Sequence, residues 1–377
     1  MRTATLIGIS AFSLVAVAMS TVLSAGAATP KPRDGKTLFE RETYGGNGRT
    51  CRTCHSAATG TVSPKDATKR FKKNPADPLF VHDGSDDGLG NGVTRMLADA
   101  TVLITIPLPS NVTLADDPLA RTVTVRRGIP TTMNTPALDP VLMSDGRQPT
   151  LESQAAGAIL DHAAGVLPSP TELTNLADFQ KTSAFFSSSD MRNLANKGRL
   201  PELPKGSSSK EKRGRRFFVD GPPDPTFKNG LCAQCHSGPM LNQTNAFAPD
   251  FTGMPIPAGT RFQSILVSEF NTALNPVREF IFNPGTLDET HVFSPDPGRA
   301  LITGSVDQST REHVNAFKIP TLHGVKDTAP YFHDNSAKTL EDVLAHYANF
   351  FDATSGGAIF LTPQDRADIV AFLKLLD

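Results

Sequence analysis

The sequence has little of what marks a disulfide-rich or nucleic-acid-binding protein. Only 4 of its 377 residues are cysteine, and it contains no tryptophan. Its 37 lysine and arginine residues balance 38 aspartate and glutamate residues, so the formal net charge is −1 and nothing points to a nucleic-acid partner. Proline (30) and glycine (29) are abundant, which predicts long loops between short helices. The length leaves room for two compact domains.

Long apolar runs are also scarce, and the clearest one lies at the start of the chain. Arg2 supplies a positive charge, residues 6–23 form a short apolar run broken by serines, and Ala25-Gly26-Ala27 supplies small residues for cleavage. This pattern predicts a secretory signal peptide over residues 1–27, and therefore export to the periplasm. A retained membrane anchor is the alternative. No cysteine follows the run, which argues against a lipoprotein.

All four cysteines fall in two copies of the motif C-x-x-C-H. The copies are Cys51-Arg52-Thr53-Cys54-His55 and Cys232-Ala233-Gln234-Cys235-His236. Two thiols at this spacing can add to the two vinyl groups of one porphyrin, and the following imidazole then lies under the iron as a ligand. The motifs predict two covalently bound haem c groups, with His55 and His236 as axial ligands. A four-cysteine zinc site or a redox dithiol is the alternative, but neither requires a histidine after each pair.

A similar segment precedes each motif. Residues 34–40 and 213–219 are both predicted to be helical, and each contains a glycine and a phenylalanine upstream of the cysteines. This weak internal repeat predicts one haem domain at residues 34–200 and a second at 205–377. The serine-, lysine- and glycine-rich stretch at 187–212 is predicted to be an exposed linker.

Four further segments have local signals. The β-branched runs at 102–106 and 123–125 predict two short strands, and the polar stretch 82–92 predicts a solvated turn, because its spacing does not match an EF-hand. Thr339 and Thr362 are predicted helix N-caps, each followed by an aspartate three residues later. The last helix then carries an apolar stripe made of Ile369, Val370, Phe372, Leu373 and Leu376.

Longer segments carry a resemblance to a known family. In the C-terminal half these are residues 317–322 (FKIPTL), 328–334 (TAPYFHD) and 339–347 (TLEDVLAHY). In the N-terminal half they are 134–138 (NTPAL), 145–147 (DGR) and 151–155 (LESQA). In this order the chain resembles the bacterial di-haem cytochrome c peroxidase family, which includes the MauG maturase, over nearly all of residues 34–377.

The resemblance implies a mainly α fold with two cytochrome c-like haem domains, long loops and a few short β-strands. It places a peroxide-reacting haem in the N-terminal domain and an electron-relay haem in the C-terminal domain. It also implies a calcium ion between them, held by the side chain of Asn134 and the backbone carbonyls of Thr328 and Pro330, which are oxygen ligands of the kind calcium requires. The alternative is that Asn134 caps a turn and the Thr-Ala-Pro segment is an ordinary loop.

Tyr347 falls where the peroxidases of the family place a methionine ligand and where the maturase branch places tyrosine. The resemblance therefore implies Tyr347 as the second axial ligand of the C-terminal haem. A phenolate ligand favours oxidised iron, whereas a methionine thioether raises the reduction potential. Two alternatives stay open: Tyr347 only packs against the haem, or the neighbouring His346 is the ligand.

The N-terminal haem departs from the family pattern. Many family peroxidases carry a histidine that blocks the iron, and Arg126 stands at the matching position, so this iron is predicted to be five-coordinate or water-bound. Arg126 or Arg127 would polarise a bound oxygen or pair with a propionate. Gln154 matches the distal-pocket glutamine, and His162 is predicted to replace the catalytic glutamate, which is missing near Ala164. The alternative is that His162 only interacts with a helix dipole.

The lack of tryptophan matters here, because family members often have one between the haems, where this chain has Ser144. Electrons would then pass directly between haem edges, or Met143 or a phenylalanine would fill the gap. The function implied is a periplasmic di-haem oxidoreductase that uses hydrogen peroxide. Its reductant is either a small electron-donor cytochrome or, as in MauG, a protein or organic substrate. A non-catalytic di-haem electron-transfer cytochrome is the alternative, and a homodimer is also implied.

Overall fold

The computed structural model describes residues 33–377, so the predicted signal peptide at 1–27 lies outside the described residues. Among the regular elements of the described part, helices predominate over a few short strands, and long loops join them, as predicted. Its helices are α1 (Gly35–Glu40), α2 (Cys51–Cys54), α3 (Pro64–Lys73), α4 (Thr94–Asp99), α5 (Leu151–Asp161), α6 (Pro170–Thr182), α7 (Ser189–Lys197), α8 (Ser209–Arg215), α9 (Val267–Phe270), α10 (Ala300–Thr303), α11 (Leu340–Ser355) and α12 (Pro363–Leu373). Its strands are β1 (Thr101–Pro107), β2 (Val112–Leu114), β3 (Thr122–Gly128), β4 (Phe262–Gln263), β5 (Arg278–Phe282), β6 (Thr290–Ser294) and β7 (Phe317–Lys318).

The helices near the C-terminus begin where the capping signals predict. Thr339 and Asp342 cap α11 reciprocally, each side chain bonding the other's backbone N–H, and Thr362 and Asp365 do the same for α12. Both predicted N-caps are thus confirmed. The predicted apolar stripe of α12 is buried as well. The longest helix, α11, has 16 residues, and nothing within residues 33–377 is both long and apolar enough to cross a membrane as a helix.

The helix ahead of each C-x-x-C-H motif crosses a later helix at a glycine. A Cβ atom at Gly35 of α1 would lie 2.0 Å from the carbonyl oxygen of Asn175 in α6. A Cβ atom at Gly214 of α8 would likewise lie 2.0 Å from the carbonyl oxygen of Asp368 in α12. Both crossings therefore require glycine for the backbones to approach, and the helix-before-motif arrangement occurs in both halves of the chain.

The two predicted strands of the N-terminal half exist and pair with each other. β1 and β3 are antiparallel, from Thr101 opposite Gly128 to Pro107 opposite Thr122. Their alternate residues, including Val102, Ile104 and Val125, are buried in one apolar core. A buried face with period two is what β-branched runs of this kind favour.

A second sheet joins segments that are far apart in the chain. β2 pairs with β5, and β5 pairs with β6. This three-stranded sheet therefore contains one strand from the N-terminal half and two from the C-terminal half. Phe280 and Phe282 of β5 are buried in the same core as β1 and β3. The short strands β4 and β7 form a third, two-stranded sheet.

The stretch at 187–212, predicted to be an exposed linker, is ordered in its first part. Residues 189–197 form α7, whose Met191 is fully buried, and Ser187 just before it is buried as well. The prediction is therefore wrong for this part. The abundance of polar residues there reflects an amphipathic helix that buries only one apolar side chain.

Candidate haem sites

The first C-x-x-C-H motif is folded as a single helical turn, α2, with His55 at its C-terminal end. His55 Nδ1 lies 2.8 Å from the carbonyl oxygen of Gly60. Because a carbonyl oxygen only accepts, Nδ1 is the donor and Nε2 keeps a free lone pair. Burial lowers the pKa of His55, which keeps the imidazole neutral. A neutral imidazole whose Nδ1 is fixed by a carbonyl is the form that binds a metal through Nε2.

The second motif repeats this arrangement. Cys232–Gln234 form a 3₁₀ turn, and His236 Nδ1 donates to the carbonyl oxygen of Leu241 at 2.8 Å. Burial lowers the pKa of His236 to about 4. The acceptor is the fifth residue after the histidine in both motifs, so the two halves share a supporting hydrogen bond that the motif itself does not specify.

The four cysteines are half-buried and separate into two pairs. Burial raises the pKa of Cys51, Cys54, Cys232 and Cys235, so they do not have the depressed pKa of a redox-active dithiol. Within residues 33–377 no three His, Cys, Asp or Glu side chains come close enough to hold a metal ion, so the two pairs do not combine into one zinc site. Each pair is followed directly by its own histidine, and two thiols with one imidazole are the donor set of a covalently attached haem.

A cavity in the N-terminal half contains the first set of donors. Cys51, Cys54 and His55 all line it. Most of its other walls are apolar and come from β1, α5, α6 and the loops between them: Val102, Ile104, Ile129, Leu142, Leu151, Leu176. Thr132 also lines the cavity, and its buried Oγ1 has no hydrogen-bond partner in the described part of the chain. Apolar walls around two thiols, one imidazole and an unpaired hydroxyl fit a porphyrin with polar substituents.

Two of the three predicted catalytic side chains lie at this cavity. Gln154 lines it from α5, and His162, the C-cap residue of the same helix, lines it as well. His162 Nδ1 is hydrogen-bonded to the carboxylate of Asp83, which is also a lining residue. His162 therefore ends a helix, as the alternative interpretation has it, and also reaches the cavity.

The third predicted catalytic residue, Arg126, is not among the residues that line the cavity, whereas Arg127 is. The reason is that consecutive residues of a strand, here β3, point to opposite faces. Arg127 is almost fully buried and bonds Asp296 at 2.7 and 2.8 Å, and Asp145 as well. Its charge is thus already neutralised by two carboxylates, which makes it a weak candidate for a propionate.

In the C-terminal half, Tyr347 lies near the second motif. It projects from α11 and packs against Phe350 and Phe351, at ring-centroid distances of 6.2 and 5.9 Å. Its hydroxyl has no hydrogen-bond partner in the described part of the chain, unlike those of Tyr44 and Tyr331. Burial raises the pKa of Tyr347, the thiols of Cys235 and Cys232 act in the same direction, and Arg311 opposes them. Tyr347 is half-buried, and a hydroxyl that forms no hydrogen bond there is available to a ligand.

His346, the other candidate ligand, is already engaged. Its Nε2 donates to the carbonyl oxygen of Ile265 at 2.8 Å, and its ring packs against Phe332 and Phe270. The ring lies nearly perpendicular to that of Tyr347. Tyr347 is therefore the better placed of the two to act as a ligand.

Polar atoms without partners also lie around the second motif. Among the buried side-chain atoms that lack a hydrogen bond in residues 33–377 are Asn242 Nδ2, Ser264 Oγ and Arg311 Nε. Asn242 comes directly after Leu241, whose carbonyl oxygen accepts the hydrogen bond from His236. Arg311 donates to the carbonyl oxygen of Ser264. Arg311 forms no ion pair within the described residues and lies near Cys235 and Tyr347. Three unused donors, one of them charged, fit the carboxylates of a propionate-bearing cofactor.

Aromatic side chains connect the two sites. Phe317 of β7 stacks on His333 with a centroid separation of 3.5 Å, and the guanidinium of Arg127 lies 5.4 Å from the Phe317 ring. Phe332, next to His333, contacts the ring of Tyr347 at 6.5 Å. Ser144, which stands where the family often has tryptophan, accepts a backbone hydrogen bond from Lys318, the neighbour of Phe317.

Asn134, the predicted side-chain ligand for calcium, is buried with φ of 58°. Its Oδ1 accepts from the backbone N–H of Ser188 at 2.8 Å. Its amide lies against Gly324, in the segment that continues to Thr328 and Pro330. The three residues are thus on neighbouring segments, and the Asn134 side chain bonds the residue that precedes α7.

Sequence reasoning missed several side chains at these sites. Asp83 was included in the loop predicted to be a solvated turn, although it is buried at the first cavity. The prediction of a solvated turn holds for Asp86 and Asp87, whose carboxylates accept hydrogen bonds from nearby backbone N–H groups. Arg311 had no signal at all, because its site forms only when distant segments fold together. An aspartate next to a histidine within a glycine-rich loop was the one available signal for Asp83.

Two sites of this kind define a class of protein, the c-type cytochromes with two haem groups. No family model matches the chain. A cytochrome c551 peroxidase from Nitrosomonas europaea is 29% identical over 154 residues, which cover 40% of this chain and 31% of the relative. The gamma subunit of hydrazine synthase from Kuenenia stuttgartiensis is 25% identical over 166 residues, 44% of this chain and 40% of the relative. This chain thus spans less than half the length of either relative.

A solved structure, that of a MauG-like protein associated with microbial copper homeostasis, matches with a TM-score of 0.47 and 19% identity. The match covers 91% of this chain and 86% of the other. The resemblance to bacterial cytochrome c peroxidases that the motifs indicate is confirmed by the match to the first curated relative.

Proposed function

We propose that the protein is a periplasmic oxidoreductase that carries two covalently attached haem c groups and uses hydrogen peroxide. The observation that carries the proposal is the difference between the two sites. The first has a cavity into which the polar side chains of Gln154 and His162 project, as a small polar reactant would need. The second has the ring of Tyr347 packed against the rings of Phe350 and Phe351. One site is suited to chemistry and the other to electron storage.

Different residues of the chain would hold the cofactors and bind the peroxide. When bound, each haem supplies an iron centre that exchanges electrons. At the first site His55 would hold the cofactor through Nε2, and Gln154 would form a hydrogen bond with the peroxide. At the second, Arg311, Ser264 and Asn242 would supply hydrogen-bond donors for the propionates. The stacked pair of Phe317 and His333 would lie between the two haems, in a chain that has no tryptophan.

Two versions of this activity differ in the reductant. A cytochrome c peroxidase takes one electron from each of two small cytochrome molecules, and the relative in Nitrosomonas europaea favours this version. A MauG-like enzyme takes them from a protein or organic substrate, and Tyr347 together with Arg126 at the position of the blocking histidine favours that version. A calcium ion held by Asn134, Thr328 and Pro330, and assembly as a homodimer, belong to the same proposal.

The experiment is spectroscopy of the purified ferric holoprotein, followed by reaction with peroxide. We expect a covalent haem stain, two haems per chain, one high-spin haem that binds cyanide and one low-spin haem. Stopped-flow mixing with hydrogen peroxide should change the high-spin signal, and added reduced cytochrome c should then be oxidised if the first version holds. A chain that binds no haem, or whose haems do not react with peroxide, contradicts the proposal.

The alternative, a non-catalytic electron-transfer cytochrome, has one observation in its favour. His162 also lines the first cavity and could approach the iron as a second axial ligand. Two low-spin haems that bind no cyanide would support that alternative. The same spectra therefore decide between the two functions.

A further inference from the structure

His162 is the outermost member of a buried chain of three side chains that ends at the first cavity. Its Nδ1 bonds one oxygen of the Asp83 carboxylate, and Arg49 bonds the other. Arg49 and Asp83 are only 2% and 5% exposed, and both also line the cavity. Such a buried ion pair is costly to desolvate, so it is weak evidence for a contribution to stability alone.

Arg49 is held rigidly, and it holds His162 in turn. Its Nε and Nη2 donate to the carbonyl oxygens of Pro78, Val81 and Leu79, at 2.8, 2.6 and 3.1 Å. Its Nη1 donates to the carbonyl oxygen of His162 at 3.0 Å. The side chain of Asn47 donates to that same oxygen at 2.9 Å. The backbone and the ring of His162 are therefore both fixed, and no mobile side chain takes part.

The ring of His162 has one nitrogen left. With Nδ1 on the carboxylate of Asp83, Nε2 has no hydrogen-bond partner in the described part of the chain. Burial opposes ionisation of Asp83, but the hydrogen bond from His162 and the charge of Arg49 outweigh it, so the pKa of Asp83 is lowered. An ionised carboxylate accepts from Nδ1–H and so leaves Nε2 as the nitrogen that exchanges a proton.

We propose that Asp83, itself held by Arg49, is a positioning residue that fixes the tautomer and direction of His162, and that His162 Nε2 is the group that moves protons in the first haem cavity. This inference rests on the proposed use of hydrogen peroxide. Neither Asp83 nor Arg49 belongs to the family motifs quoted above. The arrangement is an Asp–His pair that presents one imidazole nitrogen to a reactant, as in other enzymes with this constellation.

The proton transfer balances with the proposed reaction. His162 Nε2 takes a proton from one oxygen of hydrogen peroxide and delivers it to the other, and the O–O bond breaks as that oxygen leaves as water with both bonding electrons. The remaining oxygen atom becomes the second water by taking up two electrons and two protons. Reduction to two water molecules requires two electrons and two protons in total. The electrons come from the donor cytochrome or oxidisable substrate of the proposed function, and the protons come from solvent.

The test uses the holoprotein and the variants Asp83→Asn and His162→Gln. In Asp83→Asn the amide can donate to Nδ1, which moves the ring proton to Nε2 and removes the base. Hydrogen cyanide must lose a proton to bind ferric iron, so cyanide association should slow at least about tenfold in either variant, within the range of acid–base assistance. Carbon monoxide binding to the reduced protein needs no proton and should change by less than about twofold. The reaction with peroxide should slow by about 10² to 10³.

Asp139→Asn is the matched control. Asp139 is also a buried carboxylate paired with a cation, Lys318 at 2.8 Å, but it has no histidine and does not line the cavity. The spectrum of the second haem reports folding and haem loading in every variant. His162→Gln leaves the Arg49–Asp83 pair intact. If Asp83→Asn fails to fold, cyanide association can therefore still be measured in His162→Gln.

Three results are distinguishable. If cyanide and carbon monoxide rates respond equally, or neither responds, the positioning role is wrong although the proposed function stands. If His162→Gln converts a low-spin first haem to high-spin, His162 is an axial ligand and the inference is overturned. If the unaltered protein does not react with peroxide, the proposed function fails first, whereas the cyanide result still decides how His162 is used.

Discussion

Tyr347 is the residue whose chemistry most affects the second site. Its hydroxyl lacks a partner in the described residues, and the thiols of Cys232 and Cys235 are near enough to affect its pKa. We predict that Tyr347→Met raises the reduction potential of the second haem, because a thioether stabilises ferrous iron and a phenolate stabilises ferric iron. The optical spectrum of that haem should change in parallel. Redox titration of the holoprotein, followed by absorbance, measures both.

Tyr331→Phe is the control for this substitution. The Tyr331 hydroxyl donates to the carbonyl oxygen of Val325 at 2.8 Å, so its loss should cost about 1 kcal/mol of stability. It should leave the potential unchanged. An unaltered spectrum and potential in Tyr347→Met would mean that Tyr347 packs against the cofactor and does not ligate it.

Residues differ in how far the sequence could predict them. The cysteines and histidines of the two motifs were predictable because covalent chemistry fixes their types and their spacing. Arg126 and Arg127 were not distinguished, because which face of β3 lines the cavity depends on its pairing with β1. Asp83 could not be assigned, since its partners Arg49 and His162 are 34 and 79 residues away. Side chains that act through long-range contacts leave no local pattern.

At the scale of elements, the crossing of α8 and α12 sets how closely these two helices pack in the C-terminal half. Gly214 lies at the crossing, where an added Cβ would meet the carbonyl oxygen of Asp368 at 2.0 Å and its carbonyl carbon at 2.6 Å. We predict that Gly214→Ala forces the helices apart and costs about 1–3 kcal/mol. Chemical denaturation of the holoprotein, followed by far-UV circular dichroism, measures the loss.

Gly157→Ala is the matched control, because Gly157 also lies within a helix, α5. A Cβ there would meet the flexible end of Gln148 at 3.0 Å and the carboxylate of Asp161 at 4.0 Å. Since alanine favours helix over glycine, this variant should be neutral or more stable by up to about 1 kcal/mol. Equal destabilisation in both variants would show that the close crossing is not what Gly214 provides.

Elements with strong local signals were predictable, and those made by distant pairing were not. The N-caps of α11 and α12 and the strands β1 and β3 follow directly from local residue types. β2, in contrast, is three residues long and exists because β5 pairs with it. Helix α7 was not predicted, because it lies in a polar stretch and its single buried methionine gives almost no periodic pattern of apolar residues.

At the scale of the whole molecule, contacts across the chain join the two halves that each carry one motif. β2 pairs with β5, and Arg127 of β3 reaches Asp296 beyond β6 as well as Asp145. All three side chains are almost fully buried. The charge cluster therefore couples the segment that lines the first cavity to the C-terminal half, next to the stacked pair of Phe317 and His333.

This cluster predicts a dependence of stability on pH. Burial opposes ionisation of Asp145 and Asp296, but the charge of Arg127 outweighs it and lowers the pKa of both below the ordinary value of 3.8. Their contribution is therefore complete above about pH 4 and is lost as the pH falls through the lowered pKa values. Asp296→Asn should cost about 3 kcal/mol at pH 7, since it leaves Arg127 with one carboxylate, and should weaken the loss below pH 4. Asp116→Asn breaks the exposed pair with Arg278, which also spans the halves, and should change far less. Denaturation followed at both haems tests this: if Asp296→Asn destabilised only one of them, the cluster would not couple the halves.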